Sequence, residues 1–307
     1  MPLHRLRFLT CLPLAALLAC GSTNGEPRSA ETADRGPSTS DGLPARVAGD
    51  PSWRHDAVWD DGNAEFCAYH AVWARYGNHY PGRVLLITVK EPWAPELDVK
   101  ADTPRPDGFP VLKLNYVRDV ATGIYTYHQM ASVFLRRGSG QLQKVAATSS
   151  EACGISTALA RDGRLATHSY FDGQGDREQS WPRGALPEDG LSLLLRDYVT
   201  AEPPSSLTLL PSLLMGRFAT LEPASWTVER GAPELIAAAG QQHQAVPFRL
   251  QHDGDHQTWW LAADPPHAPL RYERSDGTLY ELTKCDRIPY WQMHDPGGES
   301  WLPEEVR

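Results

Sequence analysis

Short glycine turns set between runs of alternating side chains confine this sequence to antiparallel β-structure. Asp162-Gly163 separates Ile155–Ala160 from Arg164–Phe171, and Asp276-Gly277 separates Leu270–Arg274 from Thr278–Lys284. An Asp-Gly pair suits the two positive-φ positions of a type I′ turn, whose twist matches that of the strands it joins. Gly138-Ser139-Gly140 stands in the same way between Ser132–Arg137 and Gln141–Thr148. Val111–Val117 sets Leu112, Leu114 and Tyr116 against Lys113 and Asn115, the pattern of a strand with one wet face. Arg83–Lys90 is β-branched and apolar on both faces, which predicts a central strand. Ala64–Tyr76 reaches it through Gly77-Asn78-His79-Tyr80-Pro81-Gly82, a stretch rich in turn formers, so the two should form a hairpin.

Residues 182–226 break the pattern. Leu191–Leu195 and Leu207–Leu214 are apolar, but Pro203, Pro204 and Pro211 interrupt the region, and neither run is long enough to span a bilayer. They read as a short helix or two with loops, serving as a lid or a connection between lobes. The expected fold is therefore mainly β: a curved antiparallel sheet, half-barrel or open barrel, with a short helical and loop insertion. It should occupy a folded domain over 51–307, with possible lobes at 59–181 and 205–292. No internal repeat of fixed period is visible.

The first twenty residues carry an address. Arg5 and Arg7 precede the apolar run Phe8 to Ala19, about a dozen residues, whereas a helix needs ~20 to cross a bilayer. Segment 1–19 thus reads as an export signal. Its ending, Leu17-Leu18-Ala19-Cys20, resembles the lipobox of bacterial lipoproteins. That resemblance implies cleavage before Cys20 and lipidation of Cys20 with a diglyceride and a palmitate. Several acyl chains hold a protein firmly, where a single one holds it only marginally. Gly21, standing where Asp would signal retention, implies by the same resemblance the outer membrane, with the protein facing the periplasm. Residues 20–50 are Ser, Thr, Gly, Pro and Ala with scattered charge, the composition of a tether. Some thirty flexible residues reach roughly 30 Å.

Charge excludes some partners. The chain has 29 Lys+Arg against 38 Asp+Glu, a net charge of −9, and the signal holds two of the arginines and no acid. An acidic surface without a Lys/Arg block argues against nucleic acid and anionic headgroups, both of which need clustered cations.

Longer stretches carry a second resemblance. Ala64 to Glu91, Val99-Lys100, Pro110 to Asn115, Thr122 to Tyr127, Glu151 to Gly154 and Ser169 to Asp172 are similar to a family of uncharacterised bacterial envelope proteins. So are Thr258 to Leu261, Pro269 to Tyr272 and Arg287 to Trp291. Some members are called septum formation inhibitor Maf. The nucleotide pyrophosphatases properly so named show a Ser-x-Ser-x-Arg-Arg signature on an α/β fold, and neither is present here. The family implies a fold like the curved sheets of periplasmic lipoprotein carriers and brings no catalytic residues with it.

Of five cysteines, Cys11 lies in the signal and Cys20 at the anchor, leaving Cys67, Cys153 and Cys285. An oxidising compartment predicts one disulfide and one buried thiol among them. The pairing stays open. Cys153, between two predicted strands in the family-like Glu151 to Gly154 segment, is the expected member. Their spacing fits no zinc knuckle.

Each remaining constellation has a plainer reading beside the chemical one. His252-Asp253-Gly254-Asp255-His256 has metal-ligand residue types, yet Val246, Phe248 and Leu250 lead in and Thr258 to Leu261 lead out, so a solvated hairpin tip is the better reading. Asp172-Gly173-Gln174-Gly175-Asp176 lacks the ligand count of a calcium loop and reads as an acidic turn. Ser139 lies in a hairpin turn, not in a nucleophile elbow. Nothing places a carboxylate pair such as Glu65 and Asp119 at glycosidase spacing, and His70 and His128 read as satisfied strand histidines. All ten tryptophans follow the tether, among them Trp73, Trp93, Trp259 and Trp260. Trp259 and Trp260 must face opposite sides of their strand, one in the core and one on the second face, where a groove or covering segment is needed.

No metal, cofactor or catalytic residue is expected. The expected role is non-enzymatic: binding an apolar or lipid ligand in a groove lined by Trp259 or Trp260, or holding an envelope protein, with the membrane reached through the N-terminal lipid. The alternatives are a hydrolase acting on envelope lipid or glycan, and a scaffold with a filled interior.

Overall fold

The computed structural model describes residues 42–215 and 221–306, and in them the alternating pattern becomes seventeen strands of one sheet. Strands β1 (Ala64–Arg75), β2 (Asn78–Ala94), β3 (Val99–Lys100), β4 (Phe109–Thr122), β5 (Tyr125–Arg136), β6 (Leu142–Glu151), β7 (Gly154–Arg161), β8 (Arg164–His168) and β9 (Asp176–Ser180) form one antiparallel wing. In it β2 pairs directly with β4, and β3 is a short arm on the end of β2. The other wing holds β10 (Leu186–Pro187), β11 (Ser206–Leu210), β12 (Ala224–Arg230), β13 (Glu234–Ala238), β14 (Gln241–His252), β15 (Asp255–Ala262), β16 (Pro269–Arg274) and β17 (Leu279–Ile288). The wings meet at β1, which pairs with β2 along one edge and with β17 along the other. The sheet is curved and open; β1–β9 fall within 59–181 and β11–β17 within 205–292, while β10 comes from the insertion between them.

Turn chemistry explains most of this order. Asp162-Gly163 and Asp253-Gly254 place both residues at positive φ, as type I′ turns require. At Asp276-Gly277 only Gly277 is left-handed, and a Cβ there would meet the His79 ring at 2.3 Å, so this loop is tied to the β1–β2 hairpin. The expected hairpin of β1 and β2 forms, but it turns at Tyr76-Gly77. Asn78–Gly82, read from the sequence as loop, is strand. Pro81 is tolerated because it faces Val72 on β1 while pairing with β4 starts only at Gly82.

In the insertion, Leu191–Leu194 forms a single helical turn between 3-10 turns at Glu188–Gly190 and Leu195–Tyr198. Leu207–Leu214, expected to be helical or loop, is instead β11 followed by a loop. Ser206–Leu209 pair with Ala224–Thr227 of β12, and this tertiary ladder overrides the helical preference of leucine.

The main core joins both wings. Val84, Leu86, Leu112, Leu114 and Val133 pack with Phe248, Leu250 and Leu261, and Leu191–Leu195 fills the space between them. Burying each such side chain contributes roughly 1.5–3 kcal/mol. On the opposite face of β1 and β2, Ala64, Phe66, Ile87 and Val89 are covered by the C-terminal segment, where the Trp301 and Tyr290 rings lie 5.0 and 5.5 Å from that of Phe66. Strand β2 is thus apolar on both faces because both are covered.

Two expectations are corrected. Residues 42–50, assigned from sequence to the tether, belong to the folded part. Leu43, Ala45 and Val47 are buried, Leu43 N donates to Leu142 O (2.8 Å) and Val47 N to Gly140 O (2.9 Å). Three alternating apolar residues among Pro, Gly and Arg are too few to show as a strand. Cys153, the expected disulfide member, is an exposed free thiol at the β6–β7 turn, whereas Cys67 and Cys285 face each other across β1 and β17 and are bonded. Sequence position between two strands said nothing about which strand would be the neighbour. The expected signal 1–19 and the expected lipidation site Cys20 lie outside the described residues.

Beside this bond lies a buried ion pair. Arg196 donates to Glu65 Oε1 (2.6 Å) and Oε2 (3.3 Å), to Ser192 O and to Pro266 O, with its guanidinium over Trp53 and Trp59. It fastens the insertion to β1.

Candidate binding cavity

Five strands each send an aromatic ring and a polar side chain, two residues apart, to one face of the sheet. They are Trp73 and Arg75 on β1, Tyr116 and Arg118 on β4, Trp259 and Gln257 on β15, Tyr272 and Arg274 on β16, and Tyr280 with Thr278 beside β17. The two-residue period makes each pair share a face. They line a cavity of about 640 Å³, completed by Glu188, Asp189, Pro211, Ser212 and Met215 of the insertion and by the rim around Asp255 and Asp276. That volume lies in the range of small-molecule sites, roughly 300–1,000 Å³.

The rings form a continuous wall. Trp259 lies 4.4 Å from Tyr272, which stacks on Tyr280 at 4.8 Å, and the Tyr280 and Tyr116 hydroxyls are hydrogen-bonded at 2.5 Å. Burial pushes the Tyr116 and Tyr272 phenols well above their ordinary pKa, so they stay neutral. The Arg118 guanidinium lies 4.5 Å from the centre of the Trp73 ring.

The polar groups fall into two sets. Some are satisfied within the protein: Arg274 reaches Glu188 Oε1 (2.5 Å) and Asp255 Oδ2 (2.6 Å), and Asp189 accepts from Ser212 Oγ (2.5 Å) and Leu213 N (2.7 Å). Burial raises the Asp189 carboxyl to about 6, against the lowering pull of those two hydrogen bonds. Arg118 Nε donates to Gln129 Oε1 (2.8 Å), and Gln129 Nε2 donates to Ser149 Oγ and Leu214 O. The second set has no partner. Arg118 Nη2, Gln257 Nε2, Trp259 Nε1 and Arg75 Nε are buried donors without a hydrogen bond among the described residues. Each such group costs about 1–3 kcal/mol, more for a charged one, so four around one cavity call for a ligand or ordered water.

The sequence-derived candidates distribute as follows. Trp259 is in the cavity wall. Trp260 lies on the opposite face, half-buried, its Nε1 donating to Glu234 Oε1 (2.6 Å) with Arg271 over its ring. Trp73 lines the cavity, while Trp93 is buried elsewhere and donates to Asp98. His252 Nδ1 lies 3.0 Å from Ser225 O at the β14–β15 hairpin tip, Asp255 is held by Arg274 and Ser275, and among the described residues no His/Cys/Asp/Glu group is placed to hold a metal. Asp172 to Gly175 lie in the turn between β8 and β9, and Asp176 opens β9 opposite His168. Ser139 sits in the β5–β6 turn, accepting from Gln141 N. Glu65 and Asp119 are not together: Glu65 is committed to Arg196, and Asp119 accepts from Arg83 Nε (2.8 Å) with His128 Nδ1 at 3.0 Å. His70 shares that second, shallow depression with His128.

Sequence reasoning named Trp73 and Trp259 and missed the arginines. Their signal was present. Trp73-Ala74-Arg75, Tyr116-Val117-Arg118 and Tyr272-Glu273-Arg274 repeat one aromatic-x-Arg spacing on three strands.

No protein-family model matches the chain, and no curated protein matches it. Among solved structures, the crystal structure of a β-barrel-like protein of a domain of unknown function, DUF1849, from Brucella abortus is similar, with 11% sequence identity and a TM-score of 0.45. The match covers 74% of this chain and 98% of that one.

Proposed function

We propose that the folded domain is a non-enzymatic binding protein that takes a small amphipathic ligand of lipid type into the aromatic cavity, and that the Cys20 lipid holds it on the periplasmic side of the outer membrane. The observation that carries the reading is the set of buried, unpartnered donors around a wall of rings. Rings accept an apolar body at little entropic cost, and the donors await acceptor atoms. The order of charge, apolar run, small residue and Cys20 in the first twenty residues supports the address.

One feature speaks for a hydrolase: Ser212 Oγ bonds to Asp189, whose raised carboxyl is a suitable base. Against it, the second Asp189 oxygen is taken by Leu213 N, so the residue ties down the loop 211–214, and no His, Cys or Lys stands among the lining residues.

The test is native mass spectrometry of gently purified protein for co-purified lipid, joined to a fluorescence titration with fatty acids and phospholipids. A saturable change is expected that Trp259→Phe reduces and Trp260→Phe leaves in place. No lipid and no saturable change would return the domain to the scaffold reading.

A further inference from the structure

Resting on that reading of the cavity, we propose that the ligand's head is an oxyanion, a carboxylate or a phosphate, seated on Arg118 and received by the side-chain N–H groups of Gln257 and Trp259. Arg118 is 6% exposed, its Nε is spent on the neutral amide of Gln129, its guanidinium lies 4.5 Å from the centre of the Trp73 ring, and among the described residues no carboxylate is within ion-pair distance of it. The acids nearest in the cavity wall are already engaged: Asp189 holds Ser212 and Leu213 N, and Glu188 and Asp255 hold Arg274.

A buried cation without a direct ion pair is costly; Asp189 attracts Arg118 through space but gives it no hydrogen bond, and a neutral ligand would fill its hydrogen bonds without adding negative charge at close range. An oxyanion does both, since it has lone pairs enough for Arg118 Nη2, Gln257 Nε2 and Trp259 Nε1 together, and hydrogen bonds between charged partners are about twice as strong as neutral ones. Gln257 and Trp259 stand two apart on β15, so they share a face, and both line the same cavity as Arg118 of β4. Arg75 Nε, also unpartnered, adds a second positive charge in the same wall.

Titration calorimetry of the purified protein with decanoate, decyl phosphate, 1-decanol and decyltrimethylammonium, all below their micelle concentrations, holds the apolar part constant and varies the head. At least one anion should bind tenfold or more tightly than decanol, the cation should bind most weakly, and the better anion identifies the head. Arg118→Gln should bring the anion-to-alcohol ratio close to one, Arg118→Lys should restore part of it, and Trp259→Phe, which keeps a ring and loses the N–H, should lower it. Circular dichroism and urea midpoints confirm that the variants are folded. Equal binding of anions and decanol to the wild type overturns the oxyanion head and leaves the ligand site standing. Absence of binding by all four overturns both.

Discussion

Breaking the Cys67–Cys285 bond should lower stability by about 5 kcal/mol. The bond spans 218 residues and links directly opposed positions on β1 and β17. In the chain-entropy account, closing a loop of n residues removes roughly 2.1 + 1.5R ln n cal/mol/K from the unfolded ensemble, which for this separation is about 5 kcal/mol at 25 °C. Native contacts add little to the loss, because the β1–β17 ladder persists without the sulfurs and Cys67 is a small side chain. The measurement is urea unfolding of the wild type with and without reductant, beside the Cys67→Ala, Cys285→Ala double variant. With an m-value of about 2–3 kcal/mol/M, the midpoint should fall by about 2 M in both cases. Cys153→Ser, which removes only the exposed thiol, should leave it in place. An unchanged midpoint on reduction, or an equal fall in the Cys153 variant, would refute the reasoning.

Three further outcomes are expected. Glu65→Ala should cost about 3–5 kcal/mol by stranding buried Arg196, and Glu65→Leu combined with Arg196→Met should recover most of it; a double-mutant cycle on urea midpoints reads the difference. Asp189 has a folded-state pKa raised to about 6, so its neutral form is the one the fold prefers: its contribution is full below the unfolded value near 4 and is lost as pH rises to 6, a cost of about 3 kcal/mol at neutral pH. Asp189→Asn should therefore flatten the midpoint against pH between 4 and 7, and an unaltered slope would reject burial as the cause of the shift. Cys20→Ser should abolish incorporation of a fatty-acid analogue in metabolic labelling, and equal label in variant and wild type would remove the anchor.

What the sequence made legible were the local devices. Asp162-Gly163 and Asp253-Gly254 fix their hairpins through backbone φ alone, and Leu112, Leu114 and Tyr116 announce a buried face through their period. What it hid depends on remote partners. Leu207–Leu210 carries no strand pattern of its own and becomes β11 because β12 offers a ladder. Cys67 meets Cys285 because the first strand pairs with the last, a fact of topology that no spacing encodes. The cavity was half visible: tryptophans attract notice as aromatic walls, whereas Arg118 looks in sequence like the wet side of a strand, yet it shares the buried face of Tyr116.

The junction at β1 also governs when this domain can finish folding. As a chain emerges N-terminus first, β1 finds β2 at once across Tyr76-Gly77, but its other edge has no partner until β17 arrives more than two hundred residues later. Until then one wing exists with a central strand exposed as an edge, its rows of N–H and C=O groups open to any passing strand. Contacts of such sequence separation make folding slow, and a half-built sheet of this kind is prone to aggregate. Any factor that escorts the emerging chain must hold it until the last strand is in place. A chain cut short before Leu279 would be left permanently unsealed, a natural substrate for proteases that clear incomplete products.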